Sequence, residues 1–175
     1  MKHVLKIALA AAAVSAIAAP AMAQTSATQS TTASVKIVQP ITLTKDADLA
    51  FGTVVRPTTG SNTVTISTGS DTPALTGLGD AVLATSTTSR AAFTVGGEGG
   101  STFSITVPAS VTMTRSGGSE TLSVTLTASG SSGTLSGSIG SAGSSTFQVG
   151  GAFTVASTTV SGNYSGSFNT TVAYN

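Results

Sequence analysis

The chain has 175 residues, of which 7 are basic and 6 acidic, so charged side chains make up 7%, against about 25% in an ordinary globular protein. It holds 32 Thr, 27 Ser and 20 Gly, but no Cys and no Trp. A basic nucleic-acid binder is excluded, because too few cations are present to neutralise many phosphates; so are a highly charged disordered chain and a disulfide-stapled scaffold.

The first element reads as an address. Lys2 and Lys6 form a basic start, Ile7 to Pro20 is an apolar, Ala-rich run, and Ala21-Met22-Ala23 gives the small-x-small pattern of a signal-peptidase site. Residues 1–23 are therefore expected to be a helical secretory signal peptide, cleaved between Ala23 and Gln24. The apolar run is too short for a membrane-spanning helix, which needs roughly 18–20 residues, and no later segment is long and apolar enough to span. From Gln24 onward five cations face six acids, a net charge of −1, and no His remains.

Residues 24–33 (QTSATQSTTA) are polar and read as a flexible tail, and 34–175 as a single domain. Val35, Ile37, Ile41 and Leu43 are spaced for one face of a strand broken at Pro40. Leu49 to Val54 reads as a second strand. Val64 and Ile66 alternate with Thr65 and Ser67, and short runs follow at Val82–Thr85 and Ala92–Val95. Phe103, Ile105 and Val107 alternate, as do Val111 with Met113 and Leu122 with Val124 and Leu126; the turn Ser116-Gly117-Gly118-Ser119 lies between the last two groups. Residues 129–145 are a Gly/Ser run broken by Leu135 and Ile139, read as a hairpin or extended excursion because a long structureless loop is uncommon inside a domain. Phe147, Val149, Phe153, Val155, Phe168, Val172 and Tyr174 complete the strands. β-Branched residues fit pleated surfaces, and strands at such spacing with Gly, Ser and Asn turns predict an all-β, antiparallel β-sandwich.

The chemistry is read mainly by subtraction. Without His or Cys after residue 23, nucleophile–imidazole triads, thiol–imidazole dyads and imidazole or thiolate zinc sites have no ligands to build from. Asp46 and Asp48 are the nearest carboxylate pair, but they are read as solvated loop residues, one beside Lys45, rather than as a glycosidase pair or a Ca²⁺ site. Gly96-Gly97-Glu98-Gly99-Gly100 follows a strand and lacks the Lys-Ser/Thr of a phosphate cradle, so it reads as a hairpin turn. Tyr164 and Tyr174 are weighed as an aromatic platform for sugar against packing at a sheet edge, and Tyr164 is taken as the candidate ligand contact. No catalytic residue, cofactor or metal is expected.

Three stretches carry a family resemblance: 33–43 (ASVKIVQPITL), 49–55 (LAFGTVV), and the C-terminal 147–151 and 162–175. Together they resemble a family of small secreted bacterial proteins catalogued as a domain of unknown function, frequent in Gram-negative alphaproteobacteria. More distantly the chain is similar to spore coat protein U-like and fimbrial subunit domains, which share a Leu-x-Phe-Gly strand, here Leu49-Ala50-Phe51-Gly52, and a Gly-x-Tyr-x-Gly-x-Phe ending, here Gly162 to Phe168. The resemblance implies an immunoglobulin-like sandwich and, in some relatives, assembly by strand exchange through a periplasmic chaperone and an outer-membrane usher. It transfers no catalytic residue.

The resulting expectation is a non-catalytic, secreted structural or adhesive subunit, located in the periplasm, at the cell surface or outside the cell, with itself as a partner through strand addition. Few charges guard its edge strands, which makes edge pairing easy. The second expectation is a monomeric binding module, for polysaccharide, using Tyr164 or loop residues.

Overall fold

The computed structural model describes residues 26–175; the expected signal peptide and its cleavage residues Ala21, Ala23 and Gln24 lie outside them. The strands in chain order are β1 (Thr42–Ala47), β2 (Thr53–Val55), β3 (Ser61–Ile66), β4 (Ala74–Gly77), β5 (Val82–Ala84), β6 (Ala91–Glu98), β7 (Thr102–Thr106), β8 (Ser110–Arg115), β9 (Thr121–Ala128), β10 (Ser132–Thr134), β11 (Ala142–Ala156), β12 (Tyr164–Ser165) and β13 (Thr171–Tyr174). No helix occurs among the described residues, so none there is long and apolar enough to cross a membrane. The all-β expectation holds: every strand pair is antiparallel, and the sheets form a curled, sandwich-like fold.

The large sheet runs β1-β6-β11-β9-β8-β12, with β3 joined to β11 and β4 to β3; β10-β7-β13 form a second sheet and β2-β5 a ribbon. Its axis is β11, a single strand of 15 residues. Residues 142–149 of β11 pair with β6, and 151–156 pair with β3. Residues 149–153 pair with β9, so β6 and β3 follow one another along the edge of β11 opposite β9. The handover falls at Gly150-Gly151. A Cβ on Gly150 would run into the carbonyl oxygen of Ile66, so only glycine lets β3 approach there. Phe147, Val149, Phe153 and Val155 all belong to this one strand.

Burial follows the period-two rule. Along β6, Ala91, Phe93 and Val95 face inward; along β11, Phe147, Val149, Phe153 and Val155 do. Phe93 and Phe147 are direct cross-strand partners, with rings stacked at 5.1 Å and 15°, a geometry favoured by offset ring quadrupoles. From the second sheet Phe103 and Ile105 close over this core, and Leu135, from the Gly/Ser run, is buried with them. That run is not structureless: it forms β10 and enters β11, leaving Ile139 exposed. The wet face carries hydroxyls, such as Thr63 opposite Thr154 with their Oγ1 atoms 3.5 Å apart.

Two expectations are corrected at the N-terminal side. The period-two pattern of Val35 and Ile37 does not form a paired strand; regular structure begins at Thr42. Both side chains are 83% exposed. Of Leu49 to Val54, only Thr53 and Val54 lie in a strand, β2, with Ala50 held to Ser89 by an isolated bridge. Gly52, at φ 73, ends the apolar run before β2 begins.

Candidate functional site

Two places bring polar or apolar side chains together in ways the core does not require. The first is at the Ala142 end of β11. Glu98, the last residue of β6, is 3% exposed, a costly position for a carboxylate unless it is bonded. It is bonded on both oxygens: Gly140 N–H donates to Oε1, and Gln39 N–H donates to Oε2 at 3.1 Å. These two donors, with a smaller contribution from the Lys36 charge, hold the Glu98 carboxyl below the ordinary glutamate range despite its burial. The Glu98 N–H in turn donates to the Tyr174 hydroxyl at 2.7 Å, and that hydroxyl donates to the Gln39 carbonyl at 2.8 Å. A side chain on Gly97 would collide with the Tyr174 hydroxyl. Of the Gly-rich stretch expected to be a turn, Gly96, Gly97 and Glu98 instead end β6 and only Gly99 and Gly100 turn; the buried acid there ties the segment before β1 to the last strand of the chain.

The second place is an open cleft of about 580 Å³ at the Ala156 end of β11. Its floor is the inner face of the large sheet: Met113 from β8, Leu122 from β9, and Phe153 and Val155 from β11. One wall is Leu49 to Val54, fixed by Ala50 N–H to the Ser89 carbonyl at 2.8 Å and by Thr53 N–H to Ser86 Oγ at 2.7 Å. Phe51 meets Phe153 edge-on, with centroids 4.9 Å apart and an interplanar angle of 82°. The other wall is residues 159–166. That wall is held by the β12–β8 pairing of Tyr164 with Arg115, by Ser116 N–H to the Asn163 carbonyl at 2.8 Å, and by the Tyr164 hydroxyl donating to the Val160 carbonyl at 2.7 Å. Arg115 is itself held by Glu120, Nε to Oε2 at 2.7 Å, which lowers the carboxyl and raises the guanidinium from their ordinary ranges. Arg56 spans the two walls, its Nη1 donating to the Thr159 carbonyl at 2.7 Å.

Tyr164, the residue singled out in the sequence, does line the cleft. Tyr174 does not: its hydroxyl is committed to Glu98 and Gln39. The two tyrosines serve different sites and make no shared platform. Asp46 and Asp48 are also separated. Asp46 lies within β1, not in a loop, and accepts from Thr94 Oγ1 at 2.7 Å, while Asp48 takes Lys45 Nζ at 2.6 Å. Among the described residues, no group of three or more His, Cys, Asp or Glu is placed to hold a metal ion. The sequence reading missed Glu98 and Arg56. Glu98 carried a signal in hindsight, since it is the only charge between Arg90 and Arg115 and has a glycine pair on each side. Arg56 carried none, because its place depends on a loop about a hundred residues away.

The chain belongs to the DUF4402 family, a domain of unknown function that matches residues 41–174. The match takes in the cleft residues and, of the Glu98 site, Glu98, Gly140 and Tyr174, while Gln39 lies before it. No curated protein and no solved structure matches the chain.

Proposed function

We propose that this DUF4402 member is a secreted, non-catalytic structural or adhesive subunit of the cell surface, fimbria-like or part of a matrix. It associates with further copies by strand addition, and a periplasmic chaperone and an outer-membrane usher are the partners that the fimbrial resemblance implies. The observation that carries this reading is the run leading into β1. Val35 and Ile37 stand two apart on backbone without regular structure, each 83% exposed. That run continues directly into β1, which pairs only with β6 among the described strands. An exposed apolar alternation beside an open strand edge is the chemistry of main-chain docking. The charged side chains of β1, Lys45 and Asp46, sit at its far end, where the register also slips; the half nearest the tail is unguarded. The absence of His and Cys after residue 23 supports a non-catalytic role.

The test is made on protein sheared from native cells and run unboiled and boiled on a denaturing gel, with micrographs of the same fraction. A ladder that collapses on boiling, accompanied by filaments, is the expected result. Ile37→Asp should abolish the ladder while leaving the monomer folded. A single monomer band without filaments overturns the polymer. The second reading is then favoured by the cleft beside Tyr164: a monomeric periplasmic or extracellular binding module.

A further inference from the structure

We infer that the cleft between residues 49–56 and 159–166 is a binding site for a single-chain anionic amphiphile: an acyl chain with a carboxylate head, the head held by Arg56. The inference goes beyond the subunit reading and stands whether or not the chain polymerises, since the cleft and the run before β1 lie at opposite ends of the large sheet. Gln39 is bonded beside Glu98, where β11 begins, whereas Phe153 and Val155 line the cleft near the strand's end.

Three observations carry it. The volume, about 580 Å³, lies within the range of small-molecule sites, roughly 300–1,000 Å³. The floor is aliphatic and aromatic, from Met113, Leu122, Phe153 and Val155, with Leu49 and Phe51 beside it. An alkyl chain laid on that floor would be removed from water there, while Ser161 and Asn163 add polar groups along one wall. Arg56 is the one charged side chain that lines the cleft among the described residues, and no carboxylate lines it. Its guanidinium makes no ion pair among those residues and commits only Nη1, to the Thr159 carbonyl. That bond fixes the group at the rim and leaves the other donors of the guanidinium fork for a carboxylate. The same charge disfavours the chain's own 33–41 segment as occupant, because that segment brings Lys36 with no acid to balance it.

The probes are dodecanoate, dodecanol and dodecyltrimethylammonium, each below its micellar concentration, titrated calorimetrically into the purified chain. The Met113 methyl reports location by NMR, since Met1 and Met22 are the only other methionines and both precede the expected cleavage site. Dodecanoate should bind at one site and shift the Met113 methyl. Dodecanol should bind about fivefold more weakly, as expected for losing a partly exposed charge-assisted contact, and the cationic probe more weakly still. Shortening to decanoate should weaken binding by more than tenfold, at roughly fourfold per methylene. Arg56→Gln should erase the acid–alcohol difference while dodecanol binding persists. Val160→Asp, at a position already 42% exposed, should weaken dodecanoate more than dodecanol without unfolding the chain. The inference is overturned by equal affinity for the three head groups, by absence of binding, by an unmoved Met113 signal, or by displacement of dodecanoate with maltotetraose or a peptide of residues 33–41.

Discussion

At its Ala142 end β11 runs beside a buried acid whose oxygens both have donors; at its Ala156 end it runs beside an open cleft with an apolar floor. The same strand, with the same alternation, meets two kinds of surroundings. At the first end the neighbours are small, with Gly97, Gly99 and Gly143 letting backbones close until a carboxylate can be enclosed and bonded. At the second the neighbours are large: Phe51 covers Phe153 edge-on, while Met113 and Leu122 stay half-buried beside the cleft. The difference teaches that polar groups can close a sandwich end when their geometry is complete, and that apolar side chains only partly covered leave an open site.

The comparison breaks most visibly under truncation of the core. Phe147→Ala removes the ring stacked on Phe93 and should cost about 3–5 kcal/mol, seen as a lower denaturant midpoint. Leu122→Ala, which enlarges a cleft already open to water, should cost well under half of that in the same titration. Gly150→Ala tests the join between the two ends: the added methyl meets the Ile66 carbonyl, and the loss should be about 1–3 kcal/mol, with the amides of β3 exchanging faster. Tyr174→Phe removes one hydroxyl from between Glu98 and Gln39 and should cost about 1–2 kcal/mol. Cleavage by trypsin after Lys36 should accelerate in that variant, while dodecanoate binding at the other end stays unchanged.

The pH dependence sharpens the same contrast. Glu98 is held below the ordinary glutamate range by its two N–H donors, so its contribution to stability is present above the unfolded-state value and is lost as pH falls through the lower folded value. Lys36 is the charge that acts on it, and the Tyr174 hydroxyl bonds its own N–H. Thermal midpoints should therefore fall more steeply below about pH 4 in the native chain than in Glu98→Gln. Asp80, also lowered by its bonds to Thr58, contributes equally to both proteins and cancels in the difference. The smallest effect is expected at Arg56: Arg56→Gln should change stability by no more than about 0.5 kcal/mol, since the side chain is exposed and bonds only a carbonyl.

Much of this architecture is legible in the sequence because burial of one sheet face writes itself as alternation. Val64 and Ile66, Phe103 and Ile105, and Leu122 to Leu126 all sit where period two places them. The pattern fails where its premise fails. Val35 and Ile37 alternate as a strand does, yet no described strand pairs with them, and pairing is not a property of one segment. Gly150-Gly151 carries no side chain to alternate, and only the partner strand reveals that it marks a close approach within β11. Tyr164 was visible as an aromatic near a turn. Its neighbours in the cleft come from separate elements spread over more than a hundred residues, and no local window joins them.

The position of Gln39 has a mechanical consequence. A pull on the chain before β1 first meets the bonds to Glu98 and Tyr174, then the ladder between β1 and β6. Ladder bonds lie across the strands, so a force along β1 loads several of them together instead of opening them one at a time. The register slip between Lys45 and Ala47 sets the far limit of the loaded stretch. A tether built this way resists tension up to a threshold and then yields abruptly, the behaviour of a shear pin.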